Sequence, residues 1–250
     1  NTNSQKTIIR LPEKDTNDHL ATIYHLKSEV EKKLQNRAPY QRQITSTIDG
    51  QDRTSMIWLR EAVQNCRDAI LKARKNWSIH EEYAGVWIDF YQHNDQWIAR
   101  ISDWVWMSFY EVFKYLLTPW VSGKTGEDGA TGMVWQWFYS LLIWAKEVQV
   151  KTSSWDGQTT YIKLSPIYNQ NKDIVDFEIS YDLKEEDFTG TIIERYDENG
   201  WVWWNIWALI WIQNLEKYVW NIDDIFIRYN WDMLNAGKSI KILEQEKVHW

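Results

Sequence analysis

The chain has 250 residues, 44% of them hydrophobic, enough for one sizeable core or two lobes. A formal net charge of −7 argues against non-specific binding to nucleic acid or to an anionic membrane. No apolar run approaches the ~20 residues of a membrane helix, and the single Cys66 excludes an intrachain disulfide and favours a cytoplasmic setting.

Residues 1–14 are polar apart from Ile8, Ile9 and Leu11. No charged-then-apolar leader opens the chain, which begins at Asn1 rather than Met, so a fragment or processed form is expected. From about Asn17 to Gln35, Leu20, Ile23, Leu26, Val30 and Leu34 recur at helical spacing and predict an amphipathic helix. The polar stretch 36–54 reads as loop, making 1–54 an N-terminal extension. Residues 55–75 predict a second helix, with Leu59, Val63, Cys66 and Ile70 on one stripe and Glu61, Asn65 and Asp68 on another. Val86 to Tyr91 and Gln96 to Ser102 predict two strands joined by a His-Asn-Asp turn. Phe109 to Leu117 predicts a short helix, 118–132 a turn-rich mobile loop, and Phe138 to Ala145 a further apolar helix. Strands are expected near 147–153, 158–165, 174–181 and from Gly190, then a helix over Ile206 to Val219 and a strand over Asp224 to Tyr229. Residues 231–250 are left as a C-terminal segment. The fold class expected is α+β, a two-layer sandwich of helices on a mixed, mainly antiparallel sheet.

Tryptophan is placed strangely. There are 19 Trp against 10 Gly, although glycine averages ~7% of residues, and no Trp precedes Trp58. Residues 101–107 read I-S-D-W-V-W-M and residues 130–140 read A-T-G-M-V-W-Q-W-F-Y-S. With glycine at each Trp, both become glycine-rich loops that a phosphate could approach.

The pattern E-x-x-x-N-x-x-D-A at Glu61–Ala69, a strand ending at Asp103 with its glycine-type loop, and Gly132 followed by the F-Y-S of Phe138–Ser140 resemble the GHKL ATPase superfamily. That group includes gyrase, the ninety-kilodalton heat-shock chaperones, histidine kinases and MutL. Ile57-Trp-Leu-Arg-Glu-Ala, F-Y-S with Ala145, Val148 and Val150, and Gly190-Thr191-x-Ile193 are most similar to the chaperone branch. Taken singly, each motif has an ordinary reading: a solvated helix face for Glu61, Asn65 and Asp68, a turn former for Asp103, a strand residue for Thr191 and a solvated charge for Lys124. Their joint occurrence in order across about 55–230 carries the resemblance.

The resemblance implies the Bergerat ATP-binding fold, with ATP and Mg²⁺ as cofactors. It implies that Glu61 polarises the attacking water and that Asn65 ligates the Mg²⁺ bridging the phosphates. The strand-end Asp would accept from the adenine amino group, supported through water by Thr191. Asp68, Trp104, Trp106, Met107, Gly132, Trp135, Trp137 and Phe138 line the same nucleotide site. Ser122 and Lys124 would hold phosphate oxygens from an ATP lid at 118–132. The first loop departs from the family's D-x-G-x-G: Trp104 directly follows Asp103, one residue too few, and aligned from Met107 backwards Ser102 takes the Asp place. Either residue could therefore face adenine.

Three accounts of the tryptophans compete. Some bacterial lineages read UGA as glycine, so a tryptophan-reading code would print Trp there. The alternatives are a degenerate pseudo-ATPase and a new aromatic ligand surface, best placed at 201–211. The first is preferred, because Trp also stands in turn settings at 77, 155 and 231. Converting all of them would overshoot average glycine usage, so some are genuine, Trp58 first among them.

The expected function is an ATPase module, chaperone-like, coupling ATP binding and hydrolysis to lid closure. A MutL- or phage-type GHKL ATPase and a catalytically dead scaffold are the alternatives. Neither a phospho-acceptor histidine segment nor a basic surface supports a sensor kinase or a topoisomerase. A client or partner protein and self-association as a homodimer stay open; nucleic acid and membrane are not expected partners.

Overall fold

The computed structural model describes residues 57–76, 79–107, 111–112, 141–142, 145–153, 158–171, 174–186, 188–197, 201–220, 222–230 and 232–234. The helix expected over 17–35, the loop 118–132 and the site residues Ser122, Lys124, Gly132, Trp135, Trp137 and Phe138 lie outside the described residues.

Helix α1 spans Ile57–Lys75. Its buried positions Trp58, Leu59, Ala62, Val63, Cys66, Ile70 and Ala73 recur every three or four residues, the stripe the sequence predicts. Lys72, Arg74 and Lys75 close its last turn, where cations oppose the negative end of the helix dipole. A single 3₁₀ turn at Glu81–Tyr83 leads into β1 (Gly85–His93), which pairs antiparallel with β2 (Gln96–Asp103). Asn94 and Asp95 form the connecting turn with φ of 47° and 61°, left-handed values that these two residue types tolerate best after glycine.

Strands β3 (Ala145–Ser153), β4 (Gln158–Tyr168), β5 (Ile174–Glu185) and β6 (Thr191–Asp197) follow, then helix α2 (Trp201–Val219), β7 (Phe226–Tyr229) and the two-residue β8 (Asp232–Met233). They form one eight-stranded sheet in the order β5-β4-β3-β6-β2-β1-β7-β8. Among the described strands only β1 and β7 pair in parallel, so the sheet is mixed and mainly antiparallel, as expected. Helix α2 carries the chain from β6 across to β7, and the two helices touch.

Several boundaries differ from the sequence reading, with β4 running on to Tyr168 and β5 to Glu185. Ala145 begins β3 rather than ending a helix, with Leu141 and Leu142 in a turn just before it. Helix α2 starts at Trp201, five residues earlier than Ile206, and the last long strand starts at Phe226 rather than Asp224. The sheet also continues past residue 230 into β8.

Cross-strand rows define the helix-covered face. Ile88, Ile101, Ile193, Val150 and Ile162 stand opposite one another across β1, β2, β6, β3 and β4 and belong to the core with both helices. The other face carries polar and aromatic side chains. There Glu194 accepts hydrogen bonds from Tyr91 Oη (2.7 Å), Tyr196 Oη (2.8 Å) and Arg100 (2.6 and 2.8 Å). Both described helices pack on the opposite side of the sheet, an α+β arrangement.

Candidate nucleotide site

One row of the helix-covered face is polar. Asp103 on β2 stands opposite Thr191 on β6, Thr191 opposite Thr152 on β3, and Thr152 opposite Thr160 on β4. All four are buried, Asp103 at 9% exposed and Thr152 fully. A buried polar row at a strand end, adjoining an apolar one, costs desolvation that only hydrogen bonding offsets.

Those bonds are present. The Asp103 carboxylate accepts from the Val105 amide at 2.7 Å, closing a turn over Trp104. Thr191 Oγ1 donates to the Val105 carbonyl at 2.7 Å. The Met107 amide donates to Thr152 Oγ1 at 2.9 Å, and the two threonine hydroxyls are 2.8 Å apart. Gly190 sits where no other residue fits: its φ is +112°, and a Cβ there would lie 2.3 Å from the Asp103 carbonyl oxygen.

Burial pushes the Asp103 carboxyl up to about 7, although hydrogen bonds from the Cys66 thiol and the Val105 amide pull the other way. The buried Cys66 thiol is itself held well above its ordinary range, first by burial and then by the neighbouring Asp103. This contact joins α1 to the end of β2. Asp103 therefore faces the helix layer, whereas Ser102, opposite Trp87 and Ile192, points to the other side of the sheet. Of the two candidates for the base contact, Asp103 lies on the side of Glu61 and Asn65.

Glu61, Asn65 and Asp68 are half-buried along one flank of α1. Glu61 pairs with Arg60 at 2.9 Å, Asn65 Nδ2 donates to the Glu61 carbonyl at 2.7 Å, and Asp68 accepts from Gln64 Nε2 at 3.0 Å. With Nδ2 turned to the backbone, Oδ1 is the Asn65 atom suited to a hard cation. Among the described residues no group of three or more His, Cys, Asp or Glu converges into a metal cage.

Trp104 is 41% exposed and packs on Tyr83 (ring centroids 4.8 Å) and Trp87 (6.4 Å). Trp106 is half-buried, and Val105 and Met107 lean on the core. Among the described residues only Asn94, Asp95 and Asn230 combine a side chain with positive φ, so the backbone at 104 and 106 is not left-handed. A glycine requirement at these positions rests on close approach of a ligand and not on φ.

The sequence reading missed Thr152 and the buried pair Arg195–Asp197. Arg195 Nε donates to Asp197 at 3.1 Å, with its guanidinium 5.1 Å from the Trp58 ring and 5.5 Å from Trp211. The adjacent Glu194 and Arg195 after Ile192 and Ile193 gave no sign that Arg195 points inward. Comparison of the chain with protein-family models and with curated proteins returns no match. No helix among the described residues is long and apolar enough to cross a membrane.

Proposed function

We propose that the chain is an ATP-binding, Mg²⁺-dependent ATPase domain of the GHKL type, built on the Bergerat fold and working in the cytoplasm. The observation that supports this best is the buried Asp103 carboxyl at the end of β2, in register with Thr191 and beneath the helix bearing Glu61 and Asn65. In this reading Asp103, ionised, accepts from the adenine amino group, and Thr191 supports that contact. Asn65 Oδ1 holds the Mg²⁺, whose charge would offset that of the phosphates. Glu61 takes a proton from the attacking water.

Glu61→Ala should abolish hydrolysis while Mg·ATP still binds in titration calorimetry, a loss of ~10²–10⁴-fold in turnover. Asn65→Ala should weaken binding itself. Normal hydrolysis by the Glu61→Ala protein would remove the assignment.

We also propose that many tryptophans, Trp104, Trp106, Trp135 and Trp137 among them, stand for glycine in the protein made by its own host. The second reading is a pseudo-ATPase scaffold. It is favoured by the seat of Trp104 against Tyr83 and Trp87 without left-handed backbone.

A further inference from the structure

The two threonines at the centre of the polar row share their protons in only one economical way. Each hydroxyl has a single hydrogen and two lone pairs. Thr191 lies 2.7 Å from the Val105 carbonyl, which needs a donor, so the Thr191 proton goes there. Thr191 must then accept from Thr152 at 2.8 Å. The remaining option for the Thr152 proton, the Gly190 carbonyl, is longer at 3.3 Å. Thr152 in turn accepts from the Met107 amide. The order runs from Met107 N–H to Thr152, to Thr191, to the Val105 carbonyl, and both ends lie in the loop after β2.

We infer that Thr152, on β3, is a positioning residue for base recognition. It orients Thr191 as an acceptor towards any ligand and fixes the 105–107 backbone beside Asp103. With its proton spent on Val105 and one lone pair taken by Thr152, Thr191 keeps one lone pair. Asp103, once ionised, also only accepts. The pair therefore presents acceptors alone, which suits an amino group at the ring position it faces and rejects a carbonyl at that same position, because a buried acceptor facing an acceptor stays unpaired. Remove the Thr152 hydroxyl and the Met107 amide loses its partner, while Thr191 is free to turn its proton outward. The discrimination then fades along with the affinity. This rests on the nucleotide-binding reading and adds to it a residue on a strand outside the motifs.

The test uses full-length protein whose residues at 104 and 106 match those of the native polypeptide, with Mg·ATP and Mg·GTP as probes in titration calorimetry. Thr152→Val should weaken Mg·ATP binding about tenfold, the loss of one or two hydrogen bonds, and should narrow the ATP-to-GTP ratio. Thr152→Ser, which keeps the hydroxyl, should restore both. If the parent protein binds no nucleotide, the function proposed above fails. If the parent binds but Thr152→Val keeps its affinity and ratio, only the role of Thr152 fails. Should Thr152→Val not fold, amide exchange in the parent decides the matter. Met107 must be strongly protected without nucleotide, and exchange there at the rate of an open loop overturns the inference.

Discussion

Asp103 carries an unusual load for one side chain. Its carboxyl ordinarily ionises near 3.8 but is pushed up to about 7 by burial. Between those values the folded chain holds a proton that the unfolded chain has released. The contribution of this group is therefore fully present below about pH 4 and is lost as the pH rises through about 7. Across that window each pH unit should weaken the fold by up to about 1.4 kcal/mol. Asp103→Asn keeps the shape and removes the titration. Urea unfolding from pH 4 to 8 should show a falling difference between parent and Asp103→Asn; parallel profiles would mean that the carboxyl ionises as freely in the fold as outside it. The same protonation matters for binding, since a protonated Asp103 presents a donor and loses its claim on an amino group. Asp103 was visible in the sequence as the end of a strand, with Ser102 competing for the proposed base contact. Its partners Thr152 and Thr191 were unequally visible. Thr191 follows a glycine in a family pattern, while Thr152 is one threonine in the run V-K-T-S with nothing local to mark it.

Among the elements, those set by short-range chemistry were legible and those set by pairing were not. The stripe of α1 and the Asn94-Asp95 turn follow from spacing and from residues that accept left-handed backbone. The start of β3 did not follow, because Leu141, Leu142 and Ala145 read as an apolar helix and only pairing of Ala145 with Asp197 makes a strand there. The seat of α1 is likewise non-local. The Asp224 carboxylate, just before β7, accepts from Arg67 Nε at 2.8 Å and from Arg67 Nη2, and its carbonyl accepts from Arg74, which also pairs with Glu81. This ties the helix to the strand beside β1. Asp224→Ala should cost about 1–2 kcal/mol in urea unfolding, at the upper end for partly exposed bidentate pairs. An Arg67→Ala/Asp224→Ala double-mutant cycle should return a coupling of similar size; zero coupling would show the pair to be slack.

For the whole molecule the open question is composition, and it has a direct measurement. Peptide mass spectrometry of protein from its own host should find glycine at 104, 106, 135 and 137 and tryptophan at 58. Trp58 lies in the core with its ring edge-on to Trp211 at 5.0 Å and a buried guanidinium beside it. Intact tryptophan at all four of 104, 106, 135 and 137 would refute recoding there and leave the scaffold as the better account. The outcome also bears on stability, because each glycine inside a helix such as α2 costs about 0.5–1 kcal/mol relative to alanine.

The sheet order places β6 between β2 and β3, although β6 is the last of the three to be made. During synthesis the ribosome completes β1 and β2, then β3, β4 and β5, before Thr191 emerges. At 5–20 residues per second, the gap between Asp103 and Thr191 lasts on the order of ten seconds. Once β5 is complete, the β1-β2 pair and the β3-β4-β5 strands each still lack their β6 neighbour, and the polar row is not complete. Asp103 and Thr152 meet through Thr191 only when β6 slots in. Inserting a central strand between distant partners is slow, since the loop-closure cost comes before the contacts that offset it. If the proposed nucleotide site is correct, its ligand would recognise only chains in which β6 has joined the sheet.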